Sequence, residues 1–400
     1  MSRFFRLTGY ELLKILKRKS TWILLAICLG AVVLCVGGIV MGDYYVDGVK
    51  IESMYDGMVK DRNYSRELAG RPVDSELIQE MVRAYQKVPP QPNYTKAPEY
   101  QNYARPYSQI FGIVRDVKGT ALLDVQKMTG EEIAGFYEDR EELVNQRIDG
   151  LRVSGYAKEK LHAYNDCVET PFIFSYTDGY SRAFYIMNTT SLLAFLITAV
   201  CLAPIFAGEY ANRTDQLLLS SRFGKGMLIG AKLFAGMVFA VGIFAVMAAV
   251  NFGTALLLLG GDGAQAAIQL ILPDSVYPLT VVQLAGLIVC AGLFAQVLVA
   301  AMTLLLSARM QSPFGVLVVM FGFLIFPLFV KLSDSNMLQR QLMQLLPTNM
   351  ATIQCLISDM LYSAGKIAVP PYVFLPLFAG AAALCMLPPA FWGFKRHQVK

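Results

Sequence analysis

Few residues in this chain have types and spacings that could do chemistry. Paired carboxylates occur at Glu131–Glu132 and Glu141–Glu142. Acid–base catalysis needs such groups to converge on one reacting bond, whereas these fall on an expected helix and read as solvated surface. The glycine-rich run Gly260-Gly261-Asp262-Gly263 lacks the lysine and the hydroxyl residue of a phosphate loop. HExxH and GxSxG are also absent from the sequence. The two histidines, His162 and His397, lie far apart, and the seven cysteines are scattered. Cys167 is the lone cysteine of the large polar segment, so that segment holds no internal disulfide. The sequence therefore predicts no catalytic residue and no metal-ligand set, and the chain is expected not to be an enzyme.

A second kind of chemistry is mechanical, and one stretch fits it. Glu209–Gly226, EYANRTDQLLLSSRFGKG, is a short polar insert between two long apolar runs. Leu217, Leu218 and Leu219 give it an apolar patch, and Glu209, Arg213, Asp215, Arg222 and Lys225 surround that patch with charge. Such an insert is where a partner on one side of a membrane could push on the helices. Inside the apolar runs the polar exceptions are Asn251, Gln283 and Gln296. Their expected role is hydrogen bonding between helices or contact with a transported molecule. Lys232 lies near the end of its run, where it could snorkel to the interface. No ionisable group is expected at mid-membrane depth, which argues against a proton-driven pump.

The elements that position these residues follow from composition. The chain has 400 residues, is 55% hydrophobic and only 16% charged, which places it among membrane proteins. Six apolar stretches stand out: Trp22–Met41, Thr189–Gly208, Met227–Leu259, Leu279–Leu306, Pro313–Val330 and Tyr372–Phe394. Each is expected to cover a hydrocarbon core of about 30 Å as a helix, the structure that satisfies its own backbone in lipid. The run before the first span, Ser2–Ser20, is basic and amphipathic and suits an elbow helix lying in the membrane interface. The first span is too long for a signal-peptide core and is expected to remain as an anchor.

Lysines and arginines set the expected topology. They precede the first span, populate the insert, mark the turn at Arg309 and follow the last span. The 260–278 loop has none, and the long loop at 331–371 carries few. This bias puts both termini, the insert and the Arg309 turn in the cytosol. The segment 42–186 and the other two loops are then extracytoplasmic. The predicted division is an elbow at 1–20, a first span at 21–41, an outer domain at 42–186, and spans two to six over 187–400. The insert 209–226 and the loop 331–371 belong to that last block.

The outer segment 42–185 holds 23 of the 30 acidic residues, enough polar mass for a domain of its own. It reads as mainly helical. Thr129-Gly130-Glu131-Glu132 matches a capping box with apolar residues at helical spacing beyond it. Asp74 or Ser75 starts a second helix whose apolar face is Leu77, Ile78, Met81, Val82 and Tyr85. Tyr100, Tyr103 and Tyr107 read as half-buried packing residues, with a ligand surface as the alternative.

At the insert, the chain resembles the ABC transporter permeases of type 2. The resemblance rests on the order of elbow, first span, outer domain and second span, followed by FAGEYANRTDQLLLSSRFGKGMLIGAKL. Members typically carry a Glu after the second span, then a Thr, apolar residues, an Arg and a Lys. Those positions are filled here by Glu209, Thr214, Leu217–Leu218, Arg222 and Lys232. Arg213 stands where a Gly is common, and Ser220 or Ser221 where a Pro is common. The resemblance implies an all-α membrane subunit of six spans that binds no nucleotide itself. A separate ABC ATPase, carrying ATP and Mg, would dock on Glu209, Tyr210, Arg213, Thr214, Leu217, Leu218 and Arg222. A second permease subunit, the same or related, would complete the pathway in a bacterial plasma membrane, and no nucleic acid is involved. The implied activity is export of a peptide antibiotic, lipid or ion. The residues alone leave two other readings open: a membrane-anchored sensor or assembly factor with an outer ligand-binding domain, and a secondary transporter.

Overall fold

A computed structural model describes residues 3–46, 49–91, 93–119, 121–220, 224–330 and 337–396. The first element is the amphipathic helix α1 (Arg3–Leu16), and α2 (Lys19–Gly37) follows after a sharp bend. The bend leaves the last carbonyls of α1 without helical partners. Two side chains of α2 supply them: Thr21 Oγ1 donates to the Ile15 carbonyl at 3.0 Å, and Trp22 Nε1 to that of Leu16 at 2.7 Å.

Beyond α2 the chain enters the polar segment. It opens with a hairpin, β1 (Asp43–Val46) paired antiparallel with β2 (Val49–Ser53). Helices follow: α3 (Met54–Leu68), α4 (Ser75–Tyr85), α5 (Ser108–Lys118), α6 (Leu122–Gln126), α7 (Gly130–Ala134), α8 (Phe136–Gly150) and α9 (Gly155–Asp166). As the sequence predicts, Asp74 caps α4, and Leu77, Ile78, Met81, Val82 and Tyr85 are all buried. The capping box forms at Thr129, but its helix breaks at Gly135 and resumes as α8. These helices close a core of their own around Leu77, Met81, Phe111, Phe136 and Phe172. Tyr100 joins the Tyr85, Tyr94 and Phe111 ring cluster, and Tyr107 reaches Glu80 at 3.3 Å. Both are thus packing residues, whereas Tyr103 is exposed with Lys87 over its ring.

The remaining elements are α10 (Asp178–Leu202), α11 (Ala207–Ala211), α12 (Asp215–Ser220), α13 (Met227–Leu259), α14 (Val281–Arg309) and α15 (Pro313–Ile325). After them come α16 (Met337–Gln344), α17 (Pro347–Met350), α18 (Ile353–Leu356), a small hairpin of β3 (Tyr362–Ala364) and β4 (Ile367–Val369), and α19 (Pro371–Lys395). α10 packs on α2, α13 and α14, and α14 runs along α19. Close approach is built in at Gly292 of α14, where a Cβ would lie 2.5 Å from the Phe244 ring.

Among the described residues, five helical stretches are long and apolar enough to cross a membrane: Lys19–Val40, Asp178–Ala211, Met227–Leu259, Val281–Arg309 and Pro371–Lys395. The fifth predicted span, Pro313–Val330, is shorter than expected. Its α-helix has 13 residues, about 20 Å at 1.5 Å per residue. The apolar run continues, but Pro327 cannot extend the α-helical ladder, and Phe326–Phe329 finish as a 3₁₀ turn. Thr348 Oγ1 caps the carbonyl of Leu324 there at 2.9 Å.

The loops sort into two groups at opposite ends of the long helices. At one end, Arg140 donates to the carbonyls of Pro273 and Ser275, both at 2.8 Å, while Arg147 pairs with Asp274 and with Asp359. Asp262, in the glycine-rich run, pairs with Arg66 at 2.8 Å. The polar domain, the 260–278 loop and the segment before α19 are therefore tied together. At the other end, α1, the insert, the Arg309 turn and the last turn of α19 meet.

Buried charge holds the polar domain's hairpin to its helices. Arg105 donates to Asp61 and Glu52, each at 2.6 Å, and to the Gly57 carbonyl at 2.9 Å. Burial works against the charge of Glu52, yet hydrogen bonds from Lys60 and Arg105 hold its carboxyl below the usual range. Hydrogen bonds from Arg71 do the same for Glu80. A carboxylate with a lowered folded pKa stabilises the fold above its unfolded pKa of about 4.3, and that contribution vanishes as pH falls through the folded value. We therefore expect the unfolding midpoint of the purified chain to hold from pH 7 to about 5 and to drop below about pH 4.3. Glu52→Gln lowers the midpoint at pH 7 and flattens that drop, as read by scanning fluorimetry.

Candidate functional site

The insert begins where α10 gives out. The chain turns through Ala203-Pro204, and such a break strands backbone groups in an apolar setting. Ser307 of α14, fully buried, takes them up. Its hydroxyl donates to the Ala203 carbonyl at 2.6 Å and accepts from the amides of Phe206 and Ala207, both at 3.0 Å. Tyr210 fixes the next turn, donating to the Ala308 carbonyl at 2.9 Å with its ring against Phe394.

α11 and α12 are joined by a tight reversal. Arg213 takes the left-handed conformation, with φ of 55°. A side chain there costs about 1–2 kcal/mol relative to glycine, so the turn that glycine would make freely is kept although the sequence has arginine. The Thr214 amide donates to the Glu209 carbonyl at 3.0 Å, and its hydroxyl to the Glu209 carboxylate.

Glu209 does not point outward. Its carboxylate meets the ammonium of Lys232, on α13, at 2.8 Å. The same ammonium lies 3.1 Å from Glu11 of α1, and Lys14 holds the other Glu11 oxygen at 2.6 Å. The side chains of Lys232 and Glu11 are only 3% and 8% exposed, so their attraction is little screened by water. Lys232 thus does not snorkel, as the sequence reading had it; two carboxylates within reach hold it inside. One ammonium ties together α1, the insert and α13.

The predicted insert residues therefore divide. Glu209, Tyr210 and Thr214 face inward and brace the turn. Arg213 and Leu217 face outward, with Leu217 75% exposed. Leu218 lies in α12, and Arg222 lies outside the described residues. Asn251 and Gln296 are fully buried between spans. Asn251 donates from α13 to the Ala183 carbonyl of α10 at 3.0 Å. Gln296 donates from α14 to Thr198 of α10 and to the Ala240 carbonyl of α13, the latter at 3.3 Å. Each keeps a buried amide oxygen without a partner. Gln283 departs from the reading as a polar group between spans. It is exposed in the first turn of α14, where its Oε1 accepts from the Thr280 amide at 2.9 Å in a capping box. The α-helix starts later than the apolar run, so Gln283 falls at its mouth.

Sequence reasoning missed Glu11 and Ser307 and gave Lys232 the wrong environment. A signal existed for the pair: Glu11 is the lone acid of residues 1–20, and Lys232 the lone charge of the 227–259 run. Ser307 carried no comparable mark.

Long apolar helices packed as a bundle define a multi-pass membrane protein. The sequence profile described as ABC-2 family transporter protein matches residues 7–352, and the chain belongs to that family. It is therefore the membrane-embedded subunit of an ABC transporter, a class that is not itself catalytic and partners an ABC ATPase. No curated protein matches the chain.

The Lys232 cluster gives a sharp stability test. Lys232→Met removes the cation that Glu209 and Glu11 share and leaves Glu11 only Lys14, at a cost of roughly 3–5 kcal/mol. The triple variant Glu11→Gln, Glu209→Gln, Lys232→Met recovers much of that loss. Thermal unfolding in detergent measures both.

Proposed function

We propose that this chain is the permease of an ATP-driven exporter, and that the 209–226 insert is the coupling element through which a separate ATPase moves the spans. The ATPase carries the ATP and Mg, and this chain carries neither. The observation that supports the reading best is the split within the insert. Arg213 and Leu217 are presented to solvent, while Glu209 and Thr214, a few residues away, are fastened through Lys232 to α13 and α1. A push on the exposed turn has a stiff route into two helices at once. The same reading places the insert, both termini and the Arg309 turn in the cytosol, and the polar domain, as an extracytoplasmic unit, on the far side of the plasma membrane. The clustering of the loops at two ends supports that division, and the excess of lysine and arginine supports its direction.

A second six-span permease subunit completes the pathway in this proposal, with α15 as the short fifth crossing. The exposed apolar side chains Phe314, Val318 and Val319 on α15 suit contact with lipid or with that subunit. Asn251 and Gln296 are the proposed polar points along the pathway, and their unpartnered oxygens are available to a passing donor.

Leu217→Asp tests the coupling role. The variant is expected to fold with an unchanged melting point, because Leu217 touches water. It should lose ATPase capture in pull-downs and at least about 1.4 kcal/mol, or tenfold, in binding. Wild-type ATPase stimulation by Leu217→Asp would overturn the proposal, as would labelling of a cysteine at position 217 from outside intact cells.

A further inference from the structure

The polar domain does not sit flush on the spans. At their junction lies a cavity of about 710 Å³, within the range of roughly 300–1,000 Å³ typical of small-ligand sites. Its apolar lining comes from both bodies: Ile39 and Val40 at the end of α2, Leu259 at the end of α13, and Met54 and Met58 of α3. Five charged residues also reach it: Glu52, Asp61, Asp178, Arg105 and Arg182.

The two cations are already committed. Arg105 donates to Asp61, Glu52, Gln101 and the Gly57 carbonyl. Arg182 donates to the Cys35 and Val36 carbonyls, closing the end of α2. Glu52 is likewise taken up, by Arg105 on one oxygen and Lys60 on the other. Asp178 differs. It accepts a hydrogen bond from Gln109 and, among the described residues, forms no ion pair. The cavity therefore holds one carboxylate, Asp178, without a matching cation among the described residues, next to an apolar chamber at the edge of the spans. An unneutralised carboxylate in such a place is costly, and a ligand cation removes the cost.

We propose that this cavity binds an amphiphile with an apolar tail and a primary-amine head. The ammonium sits on Asp178, and the tail lies along Val40, Met54 and Leu259. The site is a feature of the fold and stands whether or not the chain exports, so its failure and that of the coupling proposal are separate results. The head chemistry has two sources, an amine-bearing membrane lipid or a soluble cationic amphiphile.

The test uses the full chain in phosphatidylcholine nanodiscs and radiolabelled dodecylamine, corrected for empty discs. Saturable binding is expected, with no competition from lauric acid, which has the same tail and the opposite charge. Asp178→Asn should weaken binding about tenfold or more. Val40→Trp fills the chamber without touching the carboxylates and should abolish binding, which keeps the test sound if Asp178→Asn does not fold. Discs containing phosphatidylethanolamine distinguish the sources: weakened dodecylamine binding there assigns the site to membrane lipid, and unchanged binding to a soluble amphiphile. Equal competition by lauric acid overturns the proposal, as does wild-type binding by both variants.

Discussion

A single ammonium, that of Lys232, sits about one turn inside a helix of 33 residues with carboxylates on two sides. In an apolar surround the cation is tolerated only because both partners are present, and each partner comes from a different element. The requirement fixes where α1 lies, how the chain folds back after α10, and which way the insert faces. The bends on either side are consistent with it. Thr21 and Trp22 close the end of α1, while Ser307 and Tyr210 secure the backbone between α10 and α12. Without those local repairs, the ion cluster would have to hold three chain segments against unsatisfied amide and carbonyl groups.

At the opposite end the organising force is also ionic, but it is spread over several pairs. Arg140 and Arg147 reach from the polar domain to the loops that connect the spans. Arg105 binds hairpin, helix and turn within the domain. The molecule therefore has two charged ends separated by a nearly uncharged middle, in which Asn251 and Gln296 supply side-chain hydrogen bonds between helices. That division is what a bilayer imposes: charge where water or a counter-ion is at hand, and packing elsewhere.

Much of this was legible from residue order. α13 runs from Met227 to Leu259 as its apolar run does, because nothing inside the run competes with a helix. Asp74 and Thr129 cap helices because a short oxygen side chain before an apolar period has few better uses. The illegible parts share a cause: they depend on distant partners or on a local break. Pro327 shortens α15 inside a run that remains apolar by composition. The β1–β2 hairpin is brief, with little alternation to mark it. Gln283 was misplaced because hydropathy alone does not show where α14 begins. The pairing of Glu11 with Lys232 spans more than half of the chain, and only the packing of α1 on α13 brings them together. Within the insert, the sequence marked the right stretch but not which residues face inward.

The repair by Ser307 has a mechanical side. Along an intact helix, bending strains a continuous series of backbone bonds, and the stiffness is shared by every turn. Between Ala203 and Ala207 that series is interrupted, and three of the contacts that bridge it converge on one rotatable oxygen. Curvature concentrates at such a joint, so the path from α10 into the insert is most compliant there. The segments above and below can tilt as nearly rigid rods while a single hydroxyl turns to follow them.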